Sequence, residues 1–121
     1  MIDNIRLSEK AKQQLIIIKR KTGIENWNVL CRWALCLSLA EESIPPFEDI
    51  QTDSSVEMSW KIFAGEQSEI LQSILLQRYH SYDSIINLPF GIFFKLHIHR
   101  GISYLSSKAI SIDSIVNNRA A

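Results

Sequence analysis

The pair His97 and His99 comes closer than any other part of the sequence to a chemical site. Two histidines two positions apart share a side on a strand and could bind one metal ion, but on a helix they point to nearly opposite sides. The stretch around them favours a helix, so no metal site is predicted. His97 falls on the apolar face and is interpreted as a hydrogen-bonded core histidine. His99 and Arg100, followed by Gly101, are candidates for contact with a phosphate group.

No other set of residues has the spacing of a catalytic site. Glycine-rich phosphate loops, nucleophile elbows and paired cysteine–histidine nucleophiles are all absent from the sequence. The acids Glu41, Glu42, Glu48 and Asp49 surround a proline-bearing loop and are interpreted as solvated. Cys31 and Cys36 point to different sides of a predicted helix, cannot bond to each other, and are interpreted as buried small hydrophobes. We therefore expect a protein that is not an enzyme, with no catalytic residue, metal or cofactor.

A stronger signal is a set of five basic residues on the first predicted helix: Lys10, Lys12, Lys19, Arg20 and Lys21. Cations near the end of a helix complement its dipole, which gives the last three a structural explanation. That explanation does not extend to Lys10 and Lys12 near its start. Basic residues at both ends of one helix suit contact with a line of phosphates.

Charge is segregated along the chain although the net charge is zero. Residues 1–40 carry seven Lys/Arg and three Asp/Glu. Residues 41–84 carry two Lys/Arg and nine Asp/Glu, and residues 85–121 carry four Lys/Arg and one Asp/Glu. The pattern indicates either a positive face for an anionic partner or two regions that pair with each other or with a second subunit.

The first 40 residues predict a strand and two helices. Asn4 to Leu7 alternates polar and apolar residues, Ser8 caps a helix over 9–22, and Gly23 ends it. Asn26 caps a second helix over 27–40 that is apolar on almost every side. A chain of 121 residues cannot easily bury such a helix alone, so this helix predicts assembly into an oligomer. Ile16 and Ile17, which lie among the lysines, are also expected to be covered, by another part of the chain or by a second subunit.

The rest of the chain completes a single domain over residues 1–121. A loop over 43–55 leads to a strand over 56–63, and Ser68 caps a helix to about Tyr82 with Ile70 and Ile74 on its apolar stripe. A last helix follows Pro89, and residues 109–121 are expected to form a frayed tail. The fold class is mainly α with one or two short strands. Neither a membrane span nor a signal peptide is evident, which predicts a cytoplasmic protein.

The order strand, basic helix, glycine turn and second helix is similar in layout to ribbon-helix-helix DNA-binding proteins. In those proteins, paired strands from two chains enter the major groove. The analogy would place Asn4 and Arg6 on DNA. It also keeps open a sequence-specific regulator as one alternative function.

Four blocks of the sequence are informative together: "RLSEKAKQQL", "KTGIENWNVLCRWALCLSLAE", "WKIFAGE" and "LHIHRGISYL", which span about Arg6 to Leu105. They resemble the DndE family, the small proteins of the bacterial DNA phosphorothioation, or DNA sulfur modification, system. The resemblance implies a non-catalytic homotetramer that binds duplex DNA, preferring nicked duplex, through surface lysines. Other proteins of the system would mobilise sulfur from cysteine and place it in the DNA backbone, replacing a non-bridging phosphate oxygen.

Carried onto this chain, the resemblance maps the lysine surface to Lys10, Lys12, Lys19 and Lys21, with Arg20 beside them. With the two outlying candidates, the predicted DNA-binding residues are Arg6, Lys10, Lys12, Lys19, Arg20, Lys21 and Arg100. A second alternative is a protein-interaction scaffold for the sulfur modification complex, in which the basic face docks an acidic partner.

Overall fold

The computed structural model describes residues 2–82 and 87–120, with residues 110–120 described as backbone only. It is mainly α-helical with one small sheet, as predicted. In chain order the elements are β1 (Asn4–Arg6), α1 (Glu9–Thr22), α2 (Trp27–Ala40), β2 (Glu57–Ser59), α3 (Trp60–Ala64), a 3-10 turn (Gly65–Gln67), α4 (Ser68–Ser81) and α5 (Phe90–Ala120).

The bounds of α1 and α2 agree with the prediction. At the start of α1, the Ser8 hydroxyl accepts the Ala11 N–H at 3.1 Å. At its end, Gly23 adopts a left-handed φ of 75° and its N–H reaches the Lys19 carbonyl at 2.9 Å. Glycine adopts this conformation without a steric penalty, so the local sequence alone defines both ends of α1.

The sheet consists of β1 and β2 in antiparallel register, with Ile5 opposite Met58 and Arg6 opposite Glu57. The N-terminal strand, helix and helix follow the ribbon-helix-helix order, but β1 pairs with a strand of its own chain.

The predicted strand over 56–63 was wrong beyond Ser59, because Trp60 begins α3. The Ser59 hydroxyl accepts the Ile62 N–H at 3.2 Å and starts a helical turn. That turn brings the Trp60 and Phe63 rings to 5.4 Å from each other and both within 6.0 Å of the Phe94 ring. Capping and aromatic packing therefore override the alternation in the sequence.

Helix α5 lies at the centre of the fold and packs against α2 and α1. Its buried side chains include Phe93, Phe94, Ile98 and Ile102. It meets α2 at Gly101, where a Cβ atom would lie 1.8 Å from the Ala34 carbonyl oxygen. Only glycine permits this approach of two backbones, which fixes where the helices cross.

Two features of α4 differ from the prediction. Ser68 is the first helical residue and does not cap the helix, since its hydroxyl accepts the Trp60 indole N–H at 2.9 Å. Ile70 and Ile74 are exposed, whereas Leu71 and Leu75 are buried. The buried stripe of α4 is therefore narrower than the sequence pattern indicated.

The backbone over 110–120 is helical, where the sequence predicted a frayed tail from Ala109. After Gly101 the sequence contains neither proline nor glycine, so nothing in it interrupts α5. Ala121 lies outside the described residues. Among the helices of residues 2–82 and 87–120, none combines the length and the apolar character needed to cross a bilayer.

Candidate nucleic-acid interface

The basic surface, defined as Lys10, Lys12, Lys19, Arg20 and Lys21, surrounds the outer half of α1. The buried residues Ala11, Leu15 and Ile18 fix the inner side of the helix. At about 100° per residue, Lys10 and Lys21 then lie on one flank, Lys12 and Lys19 on the other, and Arg20 between them. With a rise of 1.5 Å per residue, the two charges on the first flank are about 16 Å apart along the axis and those on the second about 10 Å.

Most of these charges are available to a partner. Within the described residues, Lys10, Lys19 and Arg20 form no hydrogen bond or ion pair, and Lys21 is exposed. Lys12 donates to the Ser55 hydroxyl at 3.0 Å, a neutral partner that leaves its charge uncompensated. The arrangement can bind an extended anion from more than one direction.

Arg6 lies on β1, apart from the basic surface. Its guanidinium donates to the Glu57 carboxylate across the sheet at 2.8 Å, and this hydrogen bond and charge raise the pKa of Arg6. Both side chains are about half exposed. An anion that approached Arg6 would have to compete with a neighbouring carboxylate.

Arg100 is used inside the fold, with a side chain only 10% exposed. Its Nε donates to the Ser38 hydroxyl at 2.9 Å, and its terminal nitrogens donate to the Ser38 carbonyl at 2.8 Å and the Ser43 hydroxyl at 3.1 Å. Glu41 lies 3.7 Å away. These contacts hold the end of α2 against α5 and give Arg100 a structural role, while Arg100 also lines one cavity with Lys10 of the basic surface.

His97 is a fully buried core histidine, as predicted. The Ser38 hydroxyl and His97 Nδ1 share a hydrogen bond of 2.7 Å. The other ring nitrogen, Nε2, has no hydrogen-bond partner among the described residues. Burial, and then the charges of Arg100 and Arg78, lower the pKa of His97 to about 4. The ring is therefore neutral at pH 7.

His99 joins α5 to the start of α1. Its Nε2 accepts the Ser8 backbone N–H at 3.1 Å, and its Nδ1 donates to the Lys95 carbonyl at 2.8 Å. Burial lowers the pKa of His99. Both ring nitrogens of His99 are therefore occupied, and His99 has no free donor for the phosphate contact suggested for it.

The cysteines differ from each other, so the prediction that both are buried was wrong for Cys36. Cys31 is buried, and desolvation raises its pKa to about 12. Cys36 is exposed, because five helical residues span about 140° and place it on a different side of α2 from Cys31. No group of three or more His, Cys, Asp or Glu residues in the described part of the chain is placed to hold a metal ion.

An apolar groove lies between α2 and α5, next to the end of α1. Its cavity measures about 440 Å³ and is lined by Thr22, Trp33, Cys36, Leu37, Leu105, Lys108 and Ala109. Trp33 is 54% exposed. The sequence had predicted an unburied apolar side on α2, and the groove is where that side is found.

Lys108 was missed by the sequence reasoning. It is exposed on α5 and lines the same groove as Thr22, so it extends the positive charge beyond the end of α1. The Gln14 side-chain amide donates to the Ser103 hydroxyl at 3.3 Å, and the Ser8 backbone N–H donates to His99. Because the later residue of α1 meets the later residue of α5, the two helices run in parallel. That packing, invisible in a single sequence, brings Lys108 near the basic surface.

Comparison with known proteins gives a consistent result. A crystal structure of DndE from Escherichia coli B7A, involved in DNA phosphorothioation modification, has a TM-score of 0.70 at 23% identity and covers 87% of this chain and 98% of its own. A crystal structure of a DndE mutant with two glycine-to-lysine substitutions has a TM-score of 0.64 at 20% identity, with coverages of 87% and 97%. These likenesses show the fold.

Among proteins with curated functions, none matches this sequence. The family model described as DNA sulphur modification protein DndE matches residues 4–112, which is most of the chain. The four sequence blocks that suggested this family all begin and end inside that range. The chain belongs to the DndE family of DNA sulphur modification proteins.

Proposed function

We propose that this protein is a non-catalytic DNA-binding subunit of the DNA phosphorothioation machinery. It grips the backbone of duplex DNA, preferring nicked duplex, through the basic surfaces of several copies. The observation that carries the proposal is the presentation by α1 of Lys10, Lys19 and Arg20 without a carboxylate partner in the described chain. Membership of the DndE family supports the link to DNA sulfur modification.

The mechanism is electrostatic. Lysine and arginine side chains that contact phosphates release condensed counterions, which drives binding without reading the bases. Each phosphate contact adds roughly −0.9 to the slope of log affinity against log salt concentration for B-DNA. One α1 helix offers a few contacts, so a long stretch of backbone requires several copies.

Assembly is the second part of the proposal, and the apolar groove supports it. The half-exposed Trp33, the exposed Cys36 and the partly buried Leu37 form a mostly apolar side on α2. Covering such a side is favourable by roughly 25 cal/mol for each Å² of apolar surface removed from water. We propose a homo-oligomer, and a tetramer as the resemblance to the family implies.

A preference for nicked duplex has a mechanical explanation in this scheme. Bending intact DNA over a short site costs of order 1–6 kcal/mol, and a nick removes much of that stiffness. An oligomer whose basic surfaces lie on a curved face would gain more contacts from DNA that bends easily.

Two observations support a binding role in preference to catalysis. His97 and His99, two of the three histidines in the sequence, each bind a neighbouring group of the fold, and burial lowers the pKa of both. Other proteins of the system would then perform the sulfur chemistry, with this subunit holding the DNA.

The two alternatives predict different behaviour. A ribbon-helix-helix regulator would place β1 of two copies in the major groove, whereas here β1 pairs with β2 of the same chain and Arg6 is held by Glu57. A scaffold would use the basic surface for an acidic protein partner, with no requirement for DNA.

A titration of DNA binding at two salt concentrations separates these functions. Intact, nicked and single-stranded DNA of several unrelated sequences would be compared by fluorescence anisotropy. We expect steep salt dependence, indifference to sequence and tightest binding to the nicked duplex. Tight preference for one sequence would support the sequence-specific regulator. No binding at modest salt would support the protein-interaction scaffold.

The variant Lys10→Ala/Lys19→Ala/Arg20→Ala tests the surface itself. If each of the three side chains contacts one phosphate, the loss of all three should reduce the magnitude of the salt slope by about 2 to 3. Binding to every sequence should weaken alike. Lys61→Ala, which removes an exposed charge from α3, is the control and should change binding little. An unchanged salt slope in the triple variant would place the DNA elsewhere.

A further inference from the structure

A rigid apolar projection stands on the loop between α2 and β2. Phe47 is 65% exposed and follows Pro45 and Pro46, of which Pro45 is buried in the fold. Consecutive prolines restrict the backbone, so the aromatic ring is presented with little conformational freedom left to lose. An exposed large aromatic ring on a stiff support is a typical anchor of a protein interface.

The loop that carries Phe47 is acidic in sequence. Residues 41–57 contain six Asp and Glu residues and no Lys or Arg, and Glu48 and Asp49 follow the ring directly and are exposed. Lys10 and Arg100 of the same chain line the cavity beside the ring, so positive charge also lies nearby in space. A surface that receives Phe47 must offer an apolar cavity, and positive charge at its edge would favour the two exposed carboxylates.

The apolar groove has both properties. Its walls are the side chains of Trp33, Cys36, Leu37, Leu105 and Ala109, which are mostly apolar, and its cavity of about 440 Å³ has room for an aromatic ring. Lys108 lies at its edge, and Thr22 joins it to the Lys19–Lys21 end of the basic surface. Shape, polarity and charge are all complementary to the Phe47 loop.

Phe47 does not reach this groove in its own chain. It lines a different cavity, of about 400 Å³, together with Ser8, Gln14, Leu96 and Ser103, and the two cavities share no lining residue. A Phe47 ring in the groove must therefore come from another molecule.

We infer that Phe47 of one copy inserts into the apolar groove of a second copy, with Glu48 and Asp49 facing Lys108. The contact joins two different surfaces, so its repetition through several copies gives a ring where the rotation between copies closes and an open filament where it does not. The inference rests on the homo-oligomer of the proposed function and names the surfaces that build it. Lys12, Lys19 and Arg20 line neither of the two cavities and remain available to DNA in this arrangement.

Disulfide trapping tests the contact directly. In Phe47→Cys, mild oxidation should link the new thiol to the exposed Cys36 of the next copy, giving trimers and larger species on a non-reducing gel. Phe47→Cys/Cys36→Ser is the matched control and can give at most dimers, as can the native protein through Cys36 alone. A Phe47→Cys protein that stops at dimers, like its control, would overturn the inference.

Complementation gives an independent test that does not require cysteine. Phe47→Asp lacks the projection and Trp33→Asp lacks a receiving groove, so each alone should be monomeric by light scattering. An equimolar mixture should form a heterodimer, because one intact projection then meets one intact groove. Separate monomers in the mixture, or native assembly by Phe47→Asp alone, would contradict the contact.

The outcomes also distinguish this inference from the proposed function. A Phe47→Asp protein that assembles and binds DNA normally rejects the contact and leaves the DNA-binding proposal intact. A Lys10→Ala/Lys19→Ala/Arg20→Ala protein that assembles normally and binds DNA normally rejects the proposed DNA surface and leaves the contact intact.

Discussion

The junction of α2 and α5 and the outer side of α1 use positive charge in opposite ways. At the junction, Arg100 donates to Ser38 and Ser43, and Arg78 donates to the Leu39 carbonyl at 2.8 Å and the Glu41 carbonyl at 3.2 Å. On α1, by contrast, the charges extend into solvent. Guanidinium groups suit several fixed acceptors, whereas ammonium groups are flexible point charges.

The difference teaches which basic residues can be assigned to a partner. A charge that completes the hydrogen bonding of a helix end cannot leave that helix without a cost to folding. A charge without a partner inside the chain can be given to DNA at no such cost. Counting lysines and arginines in the sequence does not separate the two groups, but their contacts do.

The largest expected effect comes from closing the space between the two helices. Gly101→Ala should lower the free energy of unfolding by about 3 kcal/mol, because the new Cβ would meet the Ala34 backbone and the helices would have to separate. Urea denaturation measures this loss. Gly91→Ala is the matched control on the same helix, with nothing within 4 Å of the added atom, and should be neutral or slightly stabilising. Equal stability of the two variants would mean that α2 and α5 cross elsewhere.

A second pair of variants separates structural from functional charge. Arg100→Gln should lower the free energy of unfolding by about 2 kcal/mol, because the end of α2 loses buried donors. The folded fraction should bind DNA with unchanged affinity. Arg20→Gln, which removes an exposed guanidinium, should leave stability within about 0.5 kcal/mol and weaken DNA binding. The reverse pattern of losses would exchange the roles assigned to these two arginines.

A third prediction concerns pH. His97 has a pKa of about 4 in the folded protein against 6.5 in the unfolded chain, so between those values the unfolded state binds more protons. Stability should therefore be full above about pH 6.5 and fall as the pH drops toward 4, by at most about 1.4 kcal/mol per pH unit. Denaturation at several pH values measures the slope. His97→Gln should make it shallower, leaving the part due to His99, and an unchanged slope would show that His97 contributes nothing.

The local sequence was sufficient to predict the helices whose first and last residues are fixed by contacts close by in the chain. Ser8 and Gly23 bound α1 through contacts within a few residues, so the sequence predicts the helix correctly. The strand over 56–63 was mispredicted because what converts Trp60 into a helical residue is partly distant, namely its packing against Phe94. Sequence periodicity records which side of an element is apolar, and it does not record what covers that side.

The candidate site shows the same division. The basic surface of α1 could be identified from residue types and helical spacing, because all five residues belong to one element. Lys108 could not, since its position depends on α1 and α5 packing side by side. The hydrogen bonds of Arg100 inside the fold and the exposure of Cys36 likewise depend on how α2 packs against α5. No local sequence pattern records that packing.

The contacts of α5 with the start of the chain also affect how the protein is made. The Ser8–His99 and Gln14–Ser103 hydrogen bonds join residues about 90 positions apart, so α1 lacks its main packing partner until the ribosome has produced α5. Contacts of this separation slow folding. During translation the lysine-rich helix therefore leaves the ribosome long before α5 does, and the basic surface is held in place only after α5 has been made.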